Sequence, residues 1–479
     1  MRQPSRTAVL VLALTAACSS GGTTTKKAGD TSPLPFKDCS RIACTGTIDG
    51  AVYRIELPKQ WNGTLLLWSH GYREASTRPG SLKLQTFAED APDRTPTNGS
   101  RYSADEPRDE TAVKALLAQG YALAGSAYAS NGWAVLDGIK AGEQVHDFFV
   151  KNVAVPRRTY LWGESLGGLI TELLSEKHPE WVSGAAPQCG AVAGTTENLD
   201  GGLAVAYMVQ TLIDPGLKIT EYSSHDEAVK AFERAQAAVI AAAQDVAGGG
   251  TAKVAAIAAI GHLATRTSRF DGHDVVSKIS AKAEAIVTAM GYVTFGQQEF
   301  ATRVGGQGLD INGATIGSMV TDSDRATVKA LGGDLDRYLA QLASGTRPVV
   351  DQAAREKAIA QGEPTGAFSH PTVTLHTEDD PLAIVQNERV LGDRAFKAGD
   401  TRRLLQLYTK APTTYDAPAP YGAGHCNFTP TEEIGLVTVL DGWVRTGHRP
   451  ELDQVKASFA PPTGLDTTYA PLPFPLTRS

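Results

Sequence analysis

Residues 160–170 read YLWGESLGGLI. An apolar run, Tyr160-Leu161-Trp162, stops on Gly-Glu-Ser-Leu-Gly-Gly, and GLITELLSEKHP then continues with the composition of a helix. Gly163-Glu164-Ser165-Leu166-Gly167 is thus a G-x-S-x-G pattern at a strand-to-helix turn. A serine on so tight a turn has strained backbone angles, and the neighbouring chain must approach closely, so side chains at 163 and 167 would collide with it. The helix starting right after the serine aims backbone N–H groups and its positive dipole end at the same spot. That places the Leu166 amide to hold an oxyanion. The plain alternative is a helix N-terminus capped by Ser165; the strand before and the helix after separate the two.

Working outward, short apolar runs alternate with helical stretches, which predicts a largely parallel sheet covered on both faces. AVYRIELP alternates like an early edge strand, and GTLLLWSHG (63–71), YALAGSAY (121–128), SGAAPQCG (183–190), TVTLHTEDDP (372–381) and RLLQLYT (403–409) supply further strands. DETAVKALLAQG and IKAGEQVHDFFVKNV read as the helices between them. From about 195 to 365 the alternation gives way to Ala-rich helical spacing, as in HDEAVKAFERAQAAVIAAAQ. This region is expected to be a helical lid inserted over one end of the sheet. The organisation that follows is a signal peptide over 1–17, a tether over 18–34, core over 35–194, lid over 195–365, and core plus tail over 366–479.

The N-terminus, MRQPSRTAVLVLALTAACSSGG, has two arginines and then an apolar stretch too short to span a bilayer. The small residues before Cys18 are similar to a bacterial lipoprotein signal, which implies lipidation at Cys18 and a cell-surface protein. Thr15 stands where that pattern prefers leucine, so full secretion after Ala17 stays open. SSGGTTTKKAGDTSP cannot bury apolar surface and reads as a flexible tether. Export implies an oxidising setting, in which cysteines are counted in pairs. Setting Cys18 aside, Cys39 and Cys44 could close a local loop and Cys189 and Cys426 a long-range bridge. The other pairings, and buried free thiols, remain open.

The chain has 479 residues, 42% of them hydrophobic, with a formal charge of −7 and no long run of Lys or Arg. This is globular composition with length for a large core, and it argues against nucleic acid as a partner. No His–carboxylate spacing makes a metal site, and no phosphate loop appears beyond the serine turn. DINGAT (310–315) opens like a calcium loop but lacks the later ligands. No metal or cofactor is expected, and a monomer is.

A serine needs a base to take its proton, and the base needs a carboxylate to orient it. The strand, serine turn and helix resemble the α/β-hydrolase superfamily over about 60–200 and 365–445, which implies the chain order serine, acid, histidine. In TLHTEDDPLAIVQ the resemblance makes Asp380 the acid, with Asp379 and then Glu378 as rivals. Whichever are not used cap the helix beginning near Pro381. In YGAGHCNFTPTEEIGLVTVLDGWV it makes His425 the base, on a glycine-rich loop before a helix with an N-terminal capping signature at Thr429, Pro430 and Glu432. His376 lies inside a strand and His448 beyond the last helix, so both are poorer candidates. LWSHGYRE is similar to the superfamily's His-Gly turn, which implies the Tyr72 amide as second oxyanion donor and His70 as a buried structural residue.

In that fold the loops carrying Cys189 and Cys426 lie side by side, which implies a bridge pinning the base. A His-Cys tether also occurs in tannase- and feruloyl-esterase-like hydrolases, but there the partner cysteine precedes the serine. Here that position is Glu164. Asn131 and Trp133, in SAYASNGWAV, are candidates to face the pocket, with a turn and a core tryptophan as the alternative. The expected activity is hydrolysis of a small or oligomeric carboxylic ester. The rivals are a serine peptidase, whose lid carboxylate for a free amine would be Glu221, Asp226 or Asp310, and a surface-anchored binding protein on an inactive scaffold. The membrane enters only through the lipid anchor.

Overall fold

The computed structural model describes residues 43–75, 96–99, 110–267, 269–410, 423–459 and 464–478. The expected signal peptide, the tether, Cys18 and Cys39 lie outside them. In chain order the first half comprises β1 (Ala43–Ile48), β2 (Ala51–Glu56), β3 (Thr64–Ser69), α1 (Thr111–Ala118), β4 (Ala122–Ser126), α2 (Val135–Asn152), β5 (Arg158–Glu164), α3 (Leu166–Lys177) and β6 (Gly184–Gln188). A helical stretch follows: α4 (Thr195–Leu212), α5 (His225–Gln244), α6 (Gly250–Ile260), α7 (Val275–Gly291), a π-turn at Tyr292–Gly296 and α8 (Gln297–Val304). Then come the short strand β7 (Ala314–Ile316) and α9 (Asp322–Ala330), α10 (Leu335–Ser344) and α11 (Gln352–Ile359). The chain returns to the sheet with β8 (Thr372–Thr377), α12 (Gln386–Ala398), β9 (Leu404–Thr409), α13 (Pro430–Thr446), α14 (Leu452–Ser458), β10 (Leu465–Asp466) and β11 (Leu476–Arg478).

Among the described residues one sheet runs β1-β2-β4-β3-β5-β6-β8-β9-β10. β4, β3, β5, β6, β8 and β9 are mutually parallel, while β1, β2 and β10 join antiparallel at the two edges. The central strands β3 and β8 are buried along their whole length. β3 accordingly reads as a continuous apolar run, TLLLWS, whereas β8, TVTLHT, alternates Thr and His with Val and Leu although all six residues are buried. AVYRIELP, expected at the edge, is one strand in from it, because β1 pairs outside β2. Two apolar layers cover the sheet: α2 and α3 pack on one face, α1 and α13 on the other.

After β10 the tail leaves the sheet, and β11 pairs antiparallel with β7 in the helical region, Leu476 opposite Ile316 and Arg478 opposite Ala314. Arg478 fixes it there through Asp200 Oδ2 at 2.5 Å and the Asp310 carbonyl at 2.8 Å. Asp200, fully buried on α4, is also held by Arg355 at 2.8 Å. No helix among the described residues is long and apolar enough to cross a membrane.

Candidate active site

Ser165 sits between β5 and α3 with φ 57° and ψ −123°, a left-handed φ that side chains rarely adopt. The strain is held by its surroundings: Ser165 N–H donates to Gln188 O at 3.0 Å, and the Ser165 carbonyl accepts from Gly168 and Ala191. The flanking glycines are there for space. A Cβ on Gly163 would come within 2.5 Å of Ser69 O, and one on Gly167 within 2.0 Å of the same atom. β3 ends against this turn, so any side chain would push the turn off it.

The loop after β8 and the loop after β9 bring two further groups to this serine. His425 Nε2 lies 2.8 Å from Ser165 Oγ, and His425 Nδ1 lies 2.8 and 3.0 Å from the two oxygens of Asp380. Asp380 is buried, and its Oδ1 also accepts from the Leu382 amide at 2.8 Å, which fixes the carboxylate. Its neighbours point elsewhere. Asp379 is engaged by Arg266 at 2.7 and 2.9 Å, tying the loop to the helical region. Glu378, pushed up to about 7 chiefly by burial and by its contact with Asp466, faces the tail side.

Behind Asp380 lies a buried group that apolar runs do not reveal. His376 Nδ1 faces Glu388 Oε1 at 3.2 Å and its Nε2 faces the Ala383 carbonyl at 2.7 Å. Both ring nitrogens face acceptors. Burial alone would lower its pKa, but the Glu388 carboxylate and the charge of Asp380, 3.9 Å away, hold it above the usual histidine value. Its bond to Ala383 closes the turn that carries Asp380. Glu388 is satisfied further by Thr374 and Gln406 at 2.6 and 2.7 Å. In TVTLHT His376 falls among the threonines of an alternating strand, which would suggest an exposed face although β8 is wholly buried, and Glu388 looks like any helix carboxylate.

Leu166 N–H is one of the first four amides of α3, which have no acceptor within the helix. The His70-Gly71-Tyr72 loop lies against the serine: a Cβ on Gly71 would be 3.1 Å from Ser165 Cβ. His70 is buried, stacked on Tyr128 at 3.8 Å with Nδ1 2.6 Å from Gly71 O. Burial holds it well below the usual histidine range, and Arg73 adds to this. The Tyr72 ring meets Tyr292 of the π-turn edge-on at 5.1 Å.

Trp133 lines the cavity beside Ser165, with its indole N–H on Thr195 Oγ1 at 3.0 Å. Asn131 is not among the lining residues; its amide ties the 72–75 loop by donating to Glu74 O at 3.0 Å. Cys189 and Cys426 are joined, with Cα atoms 5.4 Å apart, and both have left-handed φ values, 40° and 52°. Cys189, His425 and Cys426 form a cluster of metal-ligand types, but a disulfide offers no thiolate to a metal. Cys44 is disulfide-bonded, and its expected partner Cys39 lies outside the described residues.

No family model and no curated protein matches the chain. Its structure is similar at low identity to feruloyl esterase B from Aspergillus oryzae, with 14% identity over 89% of this chain and 86% of that one and a TM-score of 0.41. It is also similar to a proline iminopeptidase from Mycobacterium smegmatis, at 11% identity over 84% of this chain and 98% of that one, TM-score 0.35. A rice cell wall degrading esterase from Xanthomonas oryzae aligns at 12% identity over 83% and 87%, TM-score 0.36. The parallel sheet with a serine turn after its central strand is an α/β-hydrolase fold.

Proposed function

We propose that this chain is an exported serine hydrolase that cleaves carboxylic esters through an acyl-enzyme. The observation that carries the reading is the continuous hydrogen-bonded line from Asp380 through His425 to Ser165. His425 Nε2 takes the hydroxyl proton as Ser165 Oγ attacks the ester carbonyl. The carbonyl electrons move to oxygen, where the Leu166 and Tyr72 amides are the proposed donors. As the tetrahedral species collapses, His425 gives its proton to the departing alkoxide, and the alcohol leaves. Water then attacks the acyl-serine by the same steps, freeing the acid. Asp380 keeps Nδ1 protonated and stabilises the imidazolium.

Esters are favoured over peptides with a free amine by the cavity wall. Among the described lining residues there is no Asp or Glu to pair with an ammonium, and Glu221, Asp226 and Asp310 are not among them. The Cys189–Cys426 bridge supports an oxidising compartment. Lipidation at Cys18, a monomeric state and the absence of a nucleic-acid partner are part of the proposal.

Comparing p-nitrophenyl acyl esters with aminoacyl anilides, for the native chain and Ser165→Ala, tests it. Ester turnover that disappears in the variant is expected. Preference for the anilides, or ester turnover surviving in Ser165→Ala, would overturn it.

A further inference from the structure

A cavity of about 110 Å³ has Ser165 and Leu166 in its wall. Its described lining contains no Asp, Glu, Lys, Arg or His. Two of its polar groups are already committed. The Asn198 amide donates to Ala191 O, Gly194 O and Asn387 Oδ1 at 2.8–3.0 Å, and the Trp133 indole is bonded to Thr195. A group entering this space meets carbon almost everywhere.

Two features set its size. On α4, Gly201, Gly202, Val205 and Met208 recur at helical spacing along one face and line the void. The glycines make room: a Cβ on Gly202 would come 2.7 Å from Val293 Cγ1, and one on Gly201 3.3 Å from the Phe474 ring. The second feature is the C-terminal segment itself. Phe474, Pro475 and Leu476 form part of the wall. They are held by the β11–β7 pairing and by the clamp of Arg478 on buried Asp200 of the same helix α4.

Resting on the reading of Ser165 as nucleophile, we propose that the substrate is an ester of an uncharged aliphatic acid of short to medium length. Its acyl chain lies in this cavity, and the Phe474–Leu476 strap is the wall that limits that length. An engineered cavity of ~150 Å³ takes a benzene molecule, so the smaller space here fits an acyl tail of about four to six carbons. The strap makes acyl specificity depend on residues more than 300 positions from the serine in sequence.

The test uses the full chain and a graded series of p-nitrophenyl esters from acetate to palmitate, with the benzoate as a bulky acid. The native chain is expected to show its highest kcat/KM between butyrate and hexanoate. It should fall at least about tenfold by laurate, since a misfit methylene in an apolar pocket costs about 10- to 200-fold. Phe474→Ala should raise the laurate-to-butyrate ratio of kcat/KM about tenfold or more. Arg478→Ala, which loosens the strap without touching the cavity, should move the ratio the same way by less.

Highest activity on acetate, palmitate or benzoate, or a ratio unmoved in both variants, would overturn the proposal. Fluorophosphonate labelling of Ser165, run in parallel, separates the two readings. Labelling with a wrong acyl profile defeats the cavity assignment alone, while no labelling defeats the nucleophile as well.

Discussion

Under the proposed mechanism the reactivity of Ser165 comes from its neighbours, His425 and Asp380. Ser165→Ala deletes the attacking oxygen and little else, since the hydroxyl makes no cap to its own helix. Ester kcat should fall by about 10⁴ to 10⁶ while the urea midpoint stays close to native, read by initial rates and by fluorescence unfolding. His376 should behave in the opposite way. Removing its ring, as in His376→Leu, leaves the Glu388 carboxyl, at 0% side-chain exposure, without its histidine partner. A loss of stability of about 3–5 kcal/mol is expected by urea titration, in addition to any effect on rate.

His370 gives the molecule a pH dependence whose sign can be worked out. It is buried, with Nε2 2.6 Å from Ser175 Oγ. Burial, reinforced by Arg403, lowers its pKa from 6.5 to about 4. Between those values the unfolded chain binds a proton that the folded chain refuses. The stability it contributes is therefore present above pH 6.5 and lost as the pH falls toward 4. At pH 4.5 the loss is on the order of 2–3 kcal/mol. His370→Gln should flatten the decline in urea midpoint between pH 7 and 4.5; an unchanged decline would remove His370 as its source.

At the scale of elements, the two loops that meet at Ser165 are each fastened twice. The Asp380 loop is held by His376 to Ala383 and by Asp379 to Arg266. The His425 loop is held by Thr429 capping α13 and by Cys426 to Cys189. The bridge closes a separation of 237 residues, which in a chain-entropy view is worth about 5 kcal/mol. It also keeps two half-cystines at left-handed φ, a conformation that a freed residue would leave. Replacing both cysteines by serine should lower the thermal midpoint and cut kcat about 10-fold or more, because a base displaced by an ångström transfers protons poorly. Equal kcat in the double variant would show that the bridge serves stability alone.

This is also the scale at which sequence reasoning succeeds and stops. β3, β5 and β6 were legible because strands buried on both faces are apolar or small-residue runs, and the serine turn because two glycines and a helix start share one geometry. β1, β10, β7 and β11 were not legible. The last three span two or three residues each, and their pairings join distant segments, so no periodicity forms. Asp380 was separable from Asp379 and Glu378 only by superfamily register. Adjacent carboxylates look alike until each one's partner is known.

For the whole molecule, the loops at the sheet edge bring Ser165, Asp380 and His425 together and the helical region supplies the cavity, with the tail crossing from one to the other. The hydrolase scaffold could be read from one strand-turn-helix, whereas the cavity depends on how α4, α7, β7 and the last residues meet. The central claim is that Ser165 becomes covalently acylated. Its most direct test is peptide mass mapping of the native chain, acid-quenched during turnover of a p-nitrophenyl ester. The account predicts an adduct of the acyl mass on the peptide containing Ser165, absent from Ser165→Ala. An adduct confined to another residue, or turnover with no acyl-enzyme at any quench time alongside an active Ser165→Ala protein, would contradict it.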